Sequence, residues 1–127
     1  MIVLDTSALM AIALREPEAK ACIGAVESED DIRISAVTLA EALIVAERRG
    51  VADEVRAILE TLGVEIVDVT GVAARRVSEA YRKWGKGSHA ASLNFGDCFA
   101  YELARQSNCA LLYIGNDFAR TDIKGAL

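Results

Sequence analysis

An α/β fold built on a parallel central sheet is predicted by three features of the sequence. The opening run Ile2 to Leu4 is apolar on consecutive residues, as a strand covered on both faces requires. Further short apolar runs recur along the chain, separated by longer segments of helical period. The resulting order is strand, helices, strand, helices, strand, helix, helix, strand, an alternation that favours parallel pairing through short crossovers. At 127 residues and 13.6 kDa, with no repeat, low-complexity stretch or linker, residues 1–127 are expected to form a single domain.

Taken in order, the first strand runs straight into Asp5, and Ala8 to Leu14 then reads as a helix apolar nearly all round and so largely buried. Pro17 suits the first turn of a second helical segment, in which Ala19, Cys22, Ile23 and Val26 recur at helical spacing. Ser28 to Asp31 is an acidic turn, and Ile32 and Ile34 flank Arg33 in a second strand ending near Ser35. From Thr38 a strong helix carries Leu39, Ala40, Leu43, Ile44 and Ala46 on its apolar side and stops at Gly50. Val51, Val55, Ile58, Leu59 and Leu62 form the next stripe, closed by Gly63. Glu65 to Val69 alternates as a strand. Gly71 to Trp84 is helical, with Ala73, Val77, Ala80, Tyr81 and Trp84 inward and the arginines outward. Gly85 to Leu93 has no sustained period and reads as a loop. Phe95 to Ser107 is a helix, Ala110 to Ile114 a last strand, and Gly115, Asn116 and Asp117 turn out of it.

Composition narrows the function classes. Hydrophobic residues make up 53% of the chain and there is one proline, which argues for a compact helix-rich protein. No apolar stretch approaches the ~18 residues that span a bilayer, and no basic segment precedes the first strand as in a secretory signal, so a cytoplasmic protein with no membrane role is expected. Cys22, Cys98 and Cys109 lack metal or redox spacing and are expected to be reduced and structural; the single His89 cannot complete a zinc site with them. The net charge of −5 disfavours a generic nucleic-acid binder. Between Arg75 and His89, however, Arg75, Arg76, Arg82, Lys83 and Lys86 stand against Glu79 alone, which suits either an RNA-binding segment or a solvated helix face.

The acids carry the chemistry. Asp5 falls at the carboxyl end of the first strand, where open α/β sheets place their ligands. Glu41 stands in the first turn of the helix after the second strand, in T-L-A-E; Asp97 lies in the first turn of a helix, in N-F-G-D; Asp117 follows the last strand in G-N-D, with Asp122 five residues on. Each has an ordinary structural explanation. Asp5 and Asp117 suit helix caps, Thr38 with Glu41 has the pattern of a capping box, and Asn94 with Asp97 suits a cap with favourable dipole placement. Together they are harder to dismiss, because a parallel sheet crowds its strand ends and following helix starts along one edge. Carboxylates gathered there raise one another's pKa unless a cation joins them. An all-oxygen set suits Mg²⁺, or Mn²⁺, which can activate water and stabilise charge on a phosphodiester.

The runs D-T-S-A-L, T-x-x-E, L-N-F-G-D-C-F-A-Y-E-L-A and G-N-D-F-A-R-T-D-I, in that order across nearly the whole chain, resemble the PIN domain. More narrowly they resemble the VapC-type toxins of toxin–antitoxin pairs. The resemblance implies a Rossmann-like α/β/α sandwich and a Mg²⁺-dependent endoribonuclease held inactive by a VapB-type antitoxin. It places Asp5 and Asp97 as principal metal ligands and Glu41 and Asp117 as the third and fourth catalytic acids. Thr6 or Ser7 takes the supporting hydroxyl position, with Asn116 a polar support and Asp122 an outer acid. The chain ends at Leu127, so the final edge strand of many relatives is expected to be short or missing.

On this reading water attacks phosphorus and the 3′ oxygen leaves. Arg82, Lys83 and Lys86 guide the RNA backbone, with Lys86 nearest the cleft. The apolar surface of Ala8 to Leu14 leads us to expect a homodimer or an antitoxin-bound assembly. Two rivals stand beside it. A phosphatase with an aspartate nucleophile would need a second Asp where Ser7 stands, and G-K-G-S is not a phosphate loop. A non-catalytic interaction module would use the acids as helix caps alone.

Overall fold

The computed structural model describes all of residues 1–127. Four short parallel strands, β1 (Ile2–Leu4), β2 (Ile32–Ser35), β3 (Glu65–Val67) and β4 (Ala110–Leu112), form one sheet in the order β3-β2-β1-β4. Ile2 stands opposite Ile32 on one side and Ala110 on the other, while Ile34 pairs with Ile66. The helices are α1 (Thr6–Ala13), α2 (Ala19–Glu27), α3 (Ala36–Arg49), α4 (Ala52–Thr61), α5 (Gly71–Trp84) and α6 (Phe95–Ser107). A 3-10 turn follows at Phe118–Arg120. The predicted strands at Glu65–Val69 and Ala110–Ile114 are each two residues shorter at their carboxyl ends.

Alternation along the strands divides the core in two. Val3 and Leu111 point to the side where α5 and α6 pack, joining Val77, Leu93, Phe99 and Leu103. Ile2, Leu4, Ile32, Ile34 and Leu112 point the other way, onto Ala8, Leu9, Cys22 and Val26 of α1 and α2. A smaller cluster of Met10, Ala46 and Val55 locks α1, α3 and α4 together. The expected surplus of apolar surface on α1 is therefore consumed inside the chain. Ala8, Leu9, Met10 and Ala11 are all buried, because α2, α3 and α4 cover the sides that β1 and β2 cannot reach. Tyr81, expected inward, is instead exposed, since the buried stripe of α5 runs through Ala73, Val77 and Ala80.

Local chemistry sets the helix ends. Ser35 Oγ accepts the Val37 N–H to begin α3, so that helix starts two residues before Thr38. Thr70 caps α5 through the Ala73 N–H, and Asn94 caps α6 in a full capping box with Asp97. Gly50 and Asn108 close α3 and α6 in the left-handed conformation. Beyond β4 the chain returns once more. Leu111 N–H donates to Lys124 O, Ala126 N–H donates to Leu111 O, and one parallel bridge pairs Leu111 with Gly125. This is the short remnant of a final edge strand.

Ile34 is fully buried in the central sheet. Ile34→Ala is expected to cost about 2–5 kcal/mol, read as a lower urea midpoint with unchanged slope.

Candidate active site

The strand order makes β1 the switch point of the sheet: β2 and β3 lie on one side of it and β4 on the other. Ligands of open α/β sheets bind in the crevice that opens there at the carboxyl edge. Asp5 is the residue that leaves β1 into it. Its N–H donates to Leu112 O, which fastens it to β4, and its Oδ2 accepts from both the N–H and the hydroxyl of Ser7, at 3.0 and 2.6 Å. Ser7 Oγ in turn accepts the Ile114 N–H at 2.9 Å. A single hydroxyl thus clamps Asp5 to the segment that turns out of β4 towards Asn116 and Asp117. D-T-S held the signal for this contact, but nothing in the sequence shows which backbone N–H the serine would take.

Glu41 departs from the capping pattern. With Ser35 as the cap, Thr38 is already inside α3 and Glu41 stands in its second turn. The carboxylate reaches across to α1, where Thr6 Oγ1 donates to Glu41 Oε1 at 2.6 Å. Thr38 Oγ1 is buried with no hydrogen-bond partner at all. The Thr38–Glu41 capping box is therefore absent, and Glu41 is aimed at the neighbourhood of Asp5. Its other oxygen, Oε2, lies beside Gly96 in the first turn of α6.

Asp97 does cap: its Oδ2 accepts the Asn94 N–H while its own N–H donates to Asn94 Oδ1. Even so, its carboxyl is pushed up to about 6, first by burial and then by the charges of Asp5, Asp117 and Glu41, with the Asn94 bond opposing the rise. Burial likewise raises Asp5, opposed by the Ser7 bonds and reinforced by Glu41. The fold thus brings Asp5, Glu41 and Asp117 close enough for their charges to act on Asp97, and none of the four pairs with a lysine or arginine. Asp117 and Asn116 are exposed on the turn after β4, and Asp117 makes no capping bond. Arg120, the one basic residue nearby in sequence, donates instead to Ala90 O and ties that turn to the loop before α6.

Asp122 stands apart from these four. It accepts from Tyr101 Oη at 2.6 Å and lies 3.8 Å from Arg105, one to two turns along α6 from Asp97. Trp84 Nε1 donates to the same Tyr101 oxygen at 2.9 Å, so Asp122 ends a chain of contacts that staples the C-terminal segment onto α5 and α6. Trp84 was legible only as an inward-facing position, and Tyr101 only as a letter of the L-N-F-G-D-C-F-A-Y run.

A hard divalent cation fits this donor set, since the four groups are all oxygen and unneutralised. No three carboxylates stand close enough to make a closed cage, because Asp5, Glu41 and Asp97 are each turned to a protein donor. Asp97 Oδ1 and Glu41 Oε2 accept no hydrogen bond and remain available.

Of the basic segment, Arg76 is spent on Glu102 at 2.9 Å. Arg82, Lys83 and Lys86 are exposed and form no ion pair; Lys83 Nζ lies 4.9 Å over the Trp84 ring. Lys86 donates its N–H to Leu93 O, beside the Asn94 cap that begins the Asp97 helix. On the other flank, the stripe expected on α3 divides. Of its residues Ala46 is buried, together with Thr38 and Ala42 outside it, Leu39 and Leu43 are half-buried, and Ala40 and Ile44 face a groove of about 450 Å³ shared with Val37, Glu41 and Phe95. Ile44 is 57% exposed there and Phe95 68%.

The PIN domain family model matches residues 2–124, and the chain belongs to that family. A VapC ribonuclease of Mycobacterium bovis and the ribonuclease VapC30 of Mycobacterium tuberculosis are each 43% identical to it, over 96% of this chain and 95% of theirs. The ribonuclease VapC of Mycolicibacterium smegmatis is 40% identical, over 96% of this chain and 97% of its own. Among solved structures, the fold is similar to Mycobacterium tuberculosis VapC20, described as a toxin that cleaves the sarcin–ricin loop. That match has TM-score 0.78 at 18% identity, covering 97% of this chain and 96% of that one. The similarity to VapBC2 of Rickettsia felis has TM-score 0.72 at 17% identity, over 98% and 96% of the two chains.

The raised Asp97 makes a pH prediction. Its carboxyl binds a proton more tightly folded than unfolded, so stability is lost as pH rises from about 4 through about 6. Without divalent cation, Asp97→Asn should remove part of that decline and exceed the wild type in stability at pH 7. Urea melts across pH 4–8 check it.

Proposed function

We propose that the protein is a divalent-metal-dependent endoribonuclease toxin of the VapC kind, whose partner is a VapB-type antitoxin. The observation that carries the reading is the set of unneutralised carboxylates at the carboxyl edge of β1, in a chain of the PIN family. The 43% identity to relatives named as ribonucleases supports RNA as the substrate.

Asp5 and Asp97 would hold the cation, Mg²⁺ or Mn²⁺, with Asp117 at the rim. When bound, such an ion supplies Lewis-acid activation of water and stabilisation of charge at phosphorus. Glu41, anchored by Thr6, would take the proton of the attacking water. Ser7 keeps Asp5 oriented and joins it to the turn that carries Asn116 and Asp117. The P–O3′ bond breaks and the 3′ oxygen leaves with a proton, so the products carry 5′-phosphate and 3′-hydroxyl ends.

The capping interpretation accounts for Asp5 and Asp97 but not for Glu41 or Asp117, which cap nothing. Lys86, with Arg82 and Lys83 behind it, would receive the phosphate backbone beside the Asp97 helix. The exposed apolar groove between α3 and Phe95 is a better surface for an antitoxin helix, or for a second copy of the chain, than the buried α1. Asp122, held by Tyr101 and Arg105, serves the scaffold on this reading.

Purified protein should cleave end-labelled RNA with Mg²⁺ and stop with EDTA, and Asp97→Asn should slow cleavage by 10²-fold or more while circular dichroism is unchanged. Products ending in 2′,3′-cyclic phosphate would overturn the mechanism, because they mark attack by the 2′-hydroxyl. Separately, Lys86→Ala should weaken RNA binding and reduce the slope of log affinity against log salt by about one unit. An unchanged slope assigns Lys86 to a solvated surface.

A further inference from the structure

We infer that Gly96 is a positioning residue for Glu41: its missing side chain is the space that the carboxylate occupies against the first turn of α6. The inference rests on the reading of Glu41 as a catalytic acid. Gly96 follows the Asn94 cap and Phe95, and precedes Asp97, inside a regular helix. Its φ is not positive, so backbone freedom does not account for a glycine there. Glycine also lowers helix propensity relative to alanine, which leaves space as the reason for it.

The space is specific. A Cβ at Gly96 would overlap Glu41 Oε2, stand 3.1 Å from Glu41 Cδ and 3.5 Å from Asn94 Oδ1. Glu41 cannot step aside freely, because Oε1 is held by Thr6 Oγ1 at 2.6 Å. The carboxylate is therefore caught between a hydroxyl on α1 and bare backbone on α6, next in sequence to Asp97. Adding one methyl would drive Oε2 away by roughly an ångström and swing Oε1 off Thr6. A displacement of that size at a reacting group can cost as much as ~10²-fold in rate. The moving atom is the end of a flexible side chain, so the fold itself would not resist.

The test compares Gly96→Ala with the wild type in Mg²⁺-stimulated cleavage of a labelled single-stranded RNA, together with thermal melting and the carboxyl ¹³C resonance of Glu41. The expected result is cleavage slowed threefold or more, a melting temperature equal or higher, and a displaced Glu41 resonance. Combining Gly96→Ala with Glu41→Asp, whose carboxylate is one methylene shorter, should recover part of the loss. In a Glu41→Ala background, Gly96→Ala should cost nothing further. A loss below threefold, or the same added loss in the Glu41→Ala background, overturns the inference. If the wild type cleaves no RNA, the nuclease reading falls by itself. The positional claim is then judged by the resonance: displacement upholds it and an unmoved signal overturns it.

Discussion

Negative charge gathered without a basic side chain to pair it, at the carboxyl edge of β1, is the constraint around which this molecule is arranged. Asp5 is 5% exposed, and burying an ionised carboxylate is costly unless hydrogen bonds or an opposite charge compensate. The chain compensates in part, with two bonds from Ser7 to Asp5, one from Thr6 to Glu41 and one from Asn94 to Asp97. It brings no lysine or arginine to the cluster, although it carries 14 of them. Burial first, and then repulsion from Asp5, Asp117 and Glu41, pushes the Asp97 carboxyl upward. Such an arrangement persists because the two apolar layers on either side of β1 are fixed independently of it. The sheet supplies the stability, and the edge spends some of it on holding like charges together.

The same layers explain which parts of the molecule were readable in advance. The helices Gly71–Trp84 and Phe95–Ser107 begin and end where the periodicity places them, because their caps, Thr70 and Asn94, act within three residues. Asp5 was legible for a related reason: an acid directly after an apolar strand is a local pattern with one geometric outcome. Glu41 was misread locally. T-L-A-E has the form of a capping box, but Ser35 captures the Val37 N–H first and shifts the helix start, leaving Glu41 free for Thr6. That choice depends on α1 lying against α3, a contact across more than thirty residues that no local pattern encodes. That α1 is largely buried was legible from its apolar run, but its cover by α2, α3 and α4, like the stapling of Asp122 to Tyr101, depends on long-range packing and was hidden in the same way.

Long-range hydrogen bonds, few in number, do the work of precision here. Ser7 Oγ to Ile114 N spans 107 residues of sequence, yet it relates the first acid to the segment bearing the fourth. Arg120 to Ala90 relates that segment to the loop before the third. Each is a single contact beside helices and strands held by dozens, so the acids sit on a rigid frame while their mutual spacing depends on a handful of hydroxyl and guanidinium groups. Preorganisation of this kind is what a site needs if it is to hold a charged species without collapsing when that species departs.

The stapled pair of helices has a spectroscopic consequence. The chain has one tryptophan, Trp84, whose indole N–H is bonded to Tyr101, with the Lys83 ammonium over its ring and the His89 imidazole edge-on at 4.7 Å. Fluorescence excited at the red edge, where the three tyrosines do not absorb, therefore comes from one indole at the seam of α5 and α6, a turn away from Asp97. Its emission colour and quenching form a built-in gauge of whether that seam is closed, readable without any attached dye.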